Sequence, residues 1–423
     1  MNLLKRFRPT TAHFRSASGT PTIPPRVFPA TGFTAIPASE KLEEENWSWY
    51  TPQSFYPVRI GDVLQSKYQV LYKLGYGTTA TIWLCRDLLR DEYVCMKSMV
   101  SNYASVEREI KAYESLSKVD KTSRSTGKQY VRQALDHFEL HHGDRNYHFL
   151  IHEPLGVSLQ FFLHISRGSF PIDYAKDLAS RMLHALQFIH SAKVIHADLQ
   201  ASNILLRIQD EIVLKDGEEV EIESPSSRKI TGQSVVFETR DHPGSLRRWI
   251  GTKSGPVLCD FGEARTGQDS HTGLIQPAVY RAPEVFLHLP WGTPVDIWNL
   301  GCMVWHFMFG RQLFSRPGAP DEETADKDQL ARMVALLGPP PEALLADLGP
   351  GALEFFNEDG SAKGTVPNET LESALASSLE HAKLAMTVEE SEVFLAFIKR
   401  TLTWTEEKRA SASELLNDPW IAK

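Results

Sequence analysis

Two short apolar runs, Val194-Ile195 and Ile204-Leu205-Leu206, bracket the stretch His196-Ala197-Asp198-Leu199-Gln200-Ala201-Ser202-Asn203. Runs of this kind read as buried strands. They would anchor both ends of one turn, with a carboxylate at Asp198 and an amide at Asn203. A further apolar run ends directly on a second carboxylate, in Leu258-Cys259-Asp260-Phe261-Gly262. A carboxylate so placed suits orienting a hydroxyl and accepting its proton. An amide oxygen and a second carboxylate suit a hard divalent cation. A His-Ala-Asp turn on its own is often ordinary loop; the partners downstream argue against that reading here.

The rest of the chain limits what could surround such a turn. Its 423 residues, 42% hydrophobic and 23% charged, match a globular protein able to bury a sizeable core. No apolar run approaches the ~20 residues of a bilayer span. Four cysteines, Cys85, Cys95, Cys259 and Cys302, form no CxxC pair and sit in apolar stretches, so buried free thiols are expected. Residues 1–39 carry five basic and no acidic side chains, which leaves a net charge of −13 on the remainder of a chain at −8 overall. An acidic body argues against direct nucleic-acid binding and suits a basic protein partner.

Residues 1–45, rich in Pro, Ser, Thr and Ala, read as a disordered basic segment. The same composition meets the test for a mitochondrial presequence. Tyr68–Val100 reads as strands, Ser105–Leu116 as a helix, and Val131–Leu140 with Tyr147–His152 as a strand pair. Leu178, Met182, Ala185, Leu186 and Ile189 form one helical stripe, with Asp173 as its expected N-cap. Residues 207–256 are polar and turn-rich and read as an insertion, either an extra hairpin or a mobile segment. Beyond Pro294 the chain reads as helical. The expectation is an α+β protein with a small β-rich part followed by a larger helical one.

Between the first strands lies Leu74-Gly75-Tyr76-Gly77-Thr78-Thr79-Ala80-Thr81-Ile82. Glycines in a tight strand–loop–strand turn let backbone N–H groups approach a phosphate. A glycine pair there is also compatible with a plain hairpin. Val94-Cys95-Met96-Lys97 follows, an apolar strand ending in a cation that is either an edge charge or a buried one held for a purpose. Further along come Tyr280-Arg281-Ala282-Pro283-Glu284, Asp296-Ile297-Trp298-Asn299-Leu300-Gly301 and Lys408-Arg409-Ala410-Ser411-Ala412.

Taken in chain order, these elements resemble a eukaryotic protein kinase. Within that class the chain resembles the SR-protein kinase family of the CMGC group. Tyr56-Pro57-Val58-Arg59-Ile60-Gly61-Asp62, Tyr68-Gln69-Val70 with Lys73-Leu74-Gly75, and Thr81-Ile82-Trp83-Leu84 carry the narrower likeness, together with Asp321–Gly338. The resemblance covers residues 55–420 and implies a bilobal fold, with an N-lobe over 55–155 and a C-lobe over 156–420. It implies ATP and Mg²⁺ as cofactors. Lys97 would contact the α/β-phosphates, held by the helical carboxylate Glu109, with Glu107 as the alternative. Asp198 would be the base, and Asn203 and Asp260 would hold Mg²⁺. Leu74, Gly75, Gly77, Ile82, Cys95, Glu153, Leu155 and Leu205 would line the nucleotide, with His152 at the gatekeeper position. Glu284 would be buried against Arg409, and Asp296 would accept backbone N–H groups of the catalytic loop. The same resemblance implies a cytoplasmic and nuclear monomer acting on a basic, Arg/Ser-rich protein.

The departures cluster. Gln200 stands where the family has a lysine that neutralises the transferring phosphoryl group, a loss on the order of 10²-fold or more in rate. Pro277, Ala278 and Ala80 replace a threonine, an arginine and the third loop glycine. Ala197 replaces an arginine that would bind an activation-loop phosphate, so Glu263–Gln276 is expected to order without phosphorylation. Asp326 and Asp328 keep part of an acidic docking surface, while Ala335 and Arg332 dilute it. Three readings follow: an active serine/threonine kinase, a nucleotide-binding pseudokinase or scaffold, and a small-molecule phosphotransferase. Tyr280–Glu284, Asp296–Gly301 and Arg409, which belong to a protein-substrate platform, rank the last lowest.

Overall fold

The computed structural model describes residues 22–120, 126–166, 168–232, 234–240, 255–314, 321–348, 354–357 and 359–422. They divide into two compact units. The first takes the chain up to Val106, Gln133–Leu155 and Asp210–Arg248; the second takes Glu107–Arg132, Gly156–Gln209 and the chain from Trp249 onward.

The first unit is built on a six-stranded antiparallel sheet in the order β1-β2-β3-β4-β6-β5. Its strands are β1 (Val63–Leu64), β2 (Tyr68–Tyr76), β3 (Ala80–Asp87), β4 (Glu92–Met99), β5 (Asp136–His142) and β6 (Arg145–His152). Side chains alternate between the faces. Trp83, Cys85, Val94, Met96, Tyr147, Phe149 and Ile151 share a core with Val58 and Phe237. The strand expected from Val131 begins at Asp136; Val131 itself, in the second unit, makes an isolated bridge to Leu258.

The expectation of disorder over residues 1–45 does not hold for residues 22–45; residues 1–21 lie outside the described residues. Thr22 N–H and Oγ1 donate to the Leu88 carbonyl, and Gln69 exchanges two hydrogen bonds with the Arg26 backbone. Within 207–256, of which residues 233 and 241–254 lie outside the described residues, the chain forms more than a hairpin. It has a helix, Ile212–Glu223, and the antiparallel pair β9 (Arg228–Thr231) and β10 (Ser234–Phe237).

This insert and the N-terminal segment meet over the sheet. Lys73 is fully buried, with Nζ 2.5 Å from Glu44, 2.6 Å from Glu43 and 2.9 Å from the Phe237 carbonyl. Lys229 reaches Glu45 at 2.7 Å, and Phe237 stands edge-on to Trp83. A charge-rich sequence reads as solvated, but these charges are buried because each finds an opposite partner. The helix Ile212–Glu223 comes so close to β2 that a Cβ on Gly217 would lie 2.3 Å from the Tyr72 hydroxyl. That contact is why glycine occupies a helix interior.

The second unit is helical. Its helix Ile172–Ser191 buries Leu178, Met182, Ala185, Leu186 and Ile189, the expected stripe. Pro171, not Asp173, takes the N-cap, and Asp173 lies in the first turn, where a carboxylate favours the positive helix end. All four cysteines are free and buried. Among the described residues, no helix is long and apolar enough to cross a membrane.

Arg409 donates to both carboxylate oxygens of Glu284, at 2.7 and 3.1 Å, in a buried pair. Beside it Glu406 accepts the Gly292 N–H at 2.8 Å. Burial, with repulsion from Glu284, pushes the Glu406 carboxyl up to about 7 against the opposing Gly292 bond and Arg409. A raised carboxyl means the fold favours the neutral form. Its contribution to stability is present in full below the ordinary value of 4.5 and is lost as pH rises through about 7. Glu406→Gln keeps an acceptor for Gly292 and removes that titration. Thermal scans should therefore show the variant gaining on wild type between pH 5 and pH 8.

Candidate active site

In the first unit, strand register gathers the expected nucleotide residues on one sheet face. Gly75 is opposite Ile82, Ile82 opposite Lys97, and Lys97 opposite Leu150. Cys95, two residues from Lys97 and so on the same face, is opposite His152, whose Nδ1 lies 2.9 Å from the Gln133 carbonyl. Lys97 is buried, Leu74 and Ile82 are half-buried, and Glu153 is exposed beside buried Leu155.

The hairpin loop closes with Gly77 N–H to Ala80 O at 2.9 Å. Neither Gly75 nor Gly77 has a left-handed backbone, and a Cβ built on either would meet no atom within 4 Å. Nothing in the fold requires glycine there. The open space over the backbone is what a phosphate needs for close approach. Gly75→Ala and Gly77→Ala should therefore leave unfolding free energy within about 0.5–1 kcal/mol of wild type. The same variants should raise the KM for ATP. Chemical denaturation and initial-rate kinetics read the two quantities separately.

The second unit assembles the remaining residues. β7 (Val194–Ile195) pairs with β12 (Arg265–Thr266), and β8 (Ile204–Leu206) pairs with β11 (Pro256–Leu258). Leu205 is opposite Val257. The β8–β11 pairing sets the turn His196–Asn203 beside Asp260: Cys259 N–H donates to Asn203 O at 2.8 Å, and His196 Nε2 lies 3.0 Å from Cys259 O. Asp260 is exposed, with its own carboxylate 3.3 Å from Gly262 N–H. Phe261 is fully buried between the Tyr113 and His196 rings. Glu109 is buried on the helix Ala104–Asp120, while the Glu107 side chain is 77% exposed and faces Lys111.

The turn itself is held from behind. Ala197 has φ +64°, a left-handed conformation that a non-glycine residue adopts at a cost. Asp296, fully buried, accepts the His196 and Ala197 N–H groups, each at 2.9 Å, and its Oδ2 lies 2.9 Å from His190 Nε2. Asp198 then presents a carboxylate that accepts Gln200 Nε2 at 2.9 and 3.0 Å and Asn203 Nδ2 at 2.7 Å. Burial raises the Asp198 carboxyl above the usual aspartate range, with nearby Asp260 adding to it, against the Gln200 and Asn203 bonds and the His196 ring. Asn203 Nδ2 also donates to the Asp198 carbonyl at 2.9 Å. With its nitrogen committed twice, Asn203 leaves Oδ1, a hard oxygen suited to Mg²⁺.

Three positioning residues carry no motif and are missed from sequence. Gln276, buried at φ +69°, donates its N–H to Ala197 O and its Nε2 to Val295 O, and accepts the Ala282 N–H. Arg108 donates to Gly262 O at 2.7 Å and to Glu263 at 2.6 Å. Gln329 donates to Ala278 O at 2.7 Å. Each is a long polar side chain whose role depends on backbone carbonyls distant in sequence. Between Phe261 and Gln276 the chain is tied by the β7–β12 pair, Gly267 N–H to Lys193 O and the His271–Trp291 bridge.

A family model described as the protein kinase domain matches residues 68–232 and 251–421. A serine/threonine protein kinase of Aspergillus fumigatus is 35% identical over 400 residues, 94% of this chain and 95% of that protein. The serine/threonine-protein kinase SRPK of Physarum polycephalum is 30% identical over 403 residues, 90% of this chain and 92% of that protein. SRSF protein kinase 3 of Sus scrofa is 22% identical over 541 aligned residues, 96% of this chain and 94% of that protein.

Proposed function

The chain belongs to the protein kinase family, and from that premise we propose that it phosphorylates a basic, Arg/Ser-rich protein with Asp198 as the base. It is a serine/threonine protein kinase, similar to the SR kinases, and uses ATP. The observation that carries the proposal is the Asp198 carboxylate, gripped by two neutral amides on a turn backed by buried Asp296.

When bound, MgATP supplies the γ-phosphoryl group and the metal charge that offsets its oxygens. Asn203 Oδ1 and the Asp260 carboxylate are the ligands assigned to the ion. Gly75 and Gly77 leave backbone room for phosphate, Lys97 supplies the cation with Glu109 as the carboxylate assigned to it, and Leu74, Ile82, Cys95, Glu153, Leu155 and Leu205 are assigned to the nucleotide. Asp198 orients the incoming hydroxyl and takes its proton. Gln200 fixes the Asp198 carboxylate without adding positive charge, so it orients the base but leaves the pKa raised by burial.

Preference for a basic substrate is supported by the net charge of −13 outside residues 1–39 and by exposed Asp328 beside half-buried Asp326. Arg332 dilutes that surface less than its position suggests, because it donates to Leu313 O at 2.6 Å and pairs with Glu369 at 2.9 Å. Action as a monomer in cytoplasm and nucleus belongs to the same reading, by likeness to the SR kinases. The domain layout proposed is a kinase domain over 55–420 interrupted at 207–256.

Radiolabelled transfer to an Arg/Ser-repeat peptide and to a scrambled acidic peptide tests the substrate class; equal rates on both would reject it. Gln200→Lys is expected to raise the rate and to move the acid limb of the pH profile downward. An unchanged limb would mean that Gln200 does not govern the Asp198 carboxylate.

A further inference from the structure

The β5–β6 hairpin carries a group of side chains for which phosphotransfer has no use. His137 and Glu139 are two residues apart on β5 and therefore share a face. His148 on β6 is the cross-strand partner of Glu139. His137 Nε2 lies 3.2 Å from His148 Nδ1, and the same Nδ1 lies 3.5 Å from Glu139 Oε1. The two imidazoles stack at 5.4 Å with an interplanar angle of 12°. Among the described residues this is the one group of three His, Cys, Asp or Glu whose ligand atoms all lie within 4.8 Å of one another.

We propose that His137, Glu139 and His148 form a binding site for a zinc-class divalent transition metal. Bonds of ~2.0–2.1 Å to a tetrahedral ion place neighbouring ligand atoms about 3.3–3.4 Å apart. The observed 3.2 and 3.5 Å match that spacing for two of the three pairs, and the third lies within 4.8 Å. Two imidazoles and one carboxylate suit such an ion, and three protein ligands leave a position for water. His148 Nδ1 faces a ring nitrogen and a carboxylate at once, and a single ring atom makes one well-aligned bond.

The hairpin is anchored from its opposite face and from Asp136. Phe138, between the two β5 ligands, points to the opposite face, where it stacks on Phe149 at 4.9 Å and on Tyr68 at 5.9 Å. Asp136, next to His137, is held by the Tyr68 hydroxyl at 2.6 Å and Lys67 at 3.1 Å. These anchors hold the hairpin before any ion arrives, which lowers the ordering cost of binding. The site also belongs to the row that carries Lys97, since His137 is opposite Leu150 and Leu150 opposite Lys97. An ion here would tie edge strand β5 to β6 within that row.

The test uses the full chain, stripped with chelator and free of nucleotide, titrated with Co²⁺ while the visible d–d absorption is followed, then back-titrated with Zn²⁺. Wild type should develop the band with one equivalent and lose it to Zn²⁺. His137→Ala and His148→Ala should each weaken binding by about 100-fold or more, beyond the ~10–100-fold typical of losing an outer-shell partner. Glu139→Gln, which preserves shape, should weaken it at least tenfold and keep transfer activity at the wild-type rate, as none of the three residues is assigned to transfer. If His137→Ala or His148→Ala does not fold, Glu139→Gln decides. Equal Co²⁺ affinity in wild type and a folded variant would overturn the proposal.

Discussion

Asp198→Asn is expected to lower kcat for phosphotransfer by about 10³-fold, within the range that a positioned general base contributes. An asparagine keeps the shape of the turn and can still meet Gln200 and Asn203, but it cannot take the proton of an incoming hydroxyl. The KM for ATP should change little, because no nucleotide contact is assigned to this side chain. The split between kcat and KM separates a lost base from a collapsed site. The pH profile gives a second readout. Burial holds the Asp198 carboxyl above the ordinary aspartate value, and only the ionised form accepts a proton. The acid limb of wild-type kcat should therefore lie at higher pH than an exposed aspartate would set, with activity falling as pH falls through it. A wild-type limb at the ordinary aspartate value would contradict the burial argument.

Glu284→Ala is expected to cost about 3–5 kcal/mol of unfolding free energy, the usual effect of removing one side of a buried ion pair. Arg409 would then keep the Pro294 and Thr403 carbonyls, each at 2.9 Å, and the Trp298 ring at 5.2 Å, but lose its bidentate carboxylate. The loss comes from an uncompensated cation more than from the strength of the pair, so Arg409→Met should recover part of it in the Glu284→Ala background. Denaturant unfolding of the two single variants and the double variant measures the coupling directly. Additive losses would mean that the two residues act independently, against the bidentate geometry.

Both predictions rest on residues that can be read from the sequence alone, for a common physical reason. Asp198, Asn203, Asp260, Glu284 and Asp296 sit next to short apolar strands or helix starts, so local pattern places them on turns with anchored ends. Glu109 could be chosen over Glu107 because it directly precedes Ile110 on the apolar stripe, and its burial agrees. Gln200, read from sequence as the loss of a cation, also donates to both oxygens of the Asp198 carboxylate.

Other parts of the fold were not legible because their stabilisation is non-local. Residues 207–256 and 22–45 are polar and charged, and pattern assigns such stretches to solvent. Lys73 is buried by Glu43, Glu44 and the Phe237 carbonyl, groups separated from it by up to 164 positions in the chain. Gln276, Arg108 and Gln329 act on backbone carbonyls, which carry no sequence signature. His137, Glu139 and His148 come together only through the register of one hairpin. Asp173 satisfied the composition of an N-cap, but Pro171, with its fixed φ, set the helix start two residues earlier.

The central claim is that this turn carries out serine/threonine phosphotransfer although a glutamine stands at position 200. The most direct measurement is transfer of label from γ-labelled ATP with Mg²⁺ to Arg/Ser-repeat and Arg/Thr-repeat proteins, with phosphoamino-acid analysis of the products. Wild type and Asp198→Asn should be run side by side. Label on serine or threonine, at least about 10²-fold faster with wild type than with the variant, is the predicted result. Wild type no faster than Asp198→Asn on every basic substrate tried, while MgATP still raises the thermal midpoint, would contradict it.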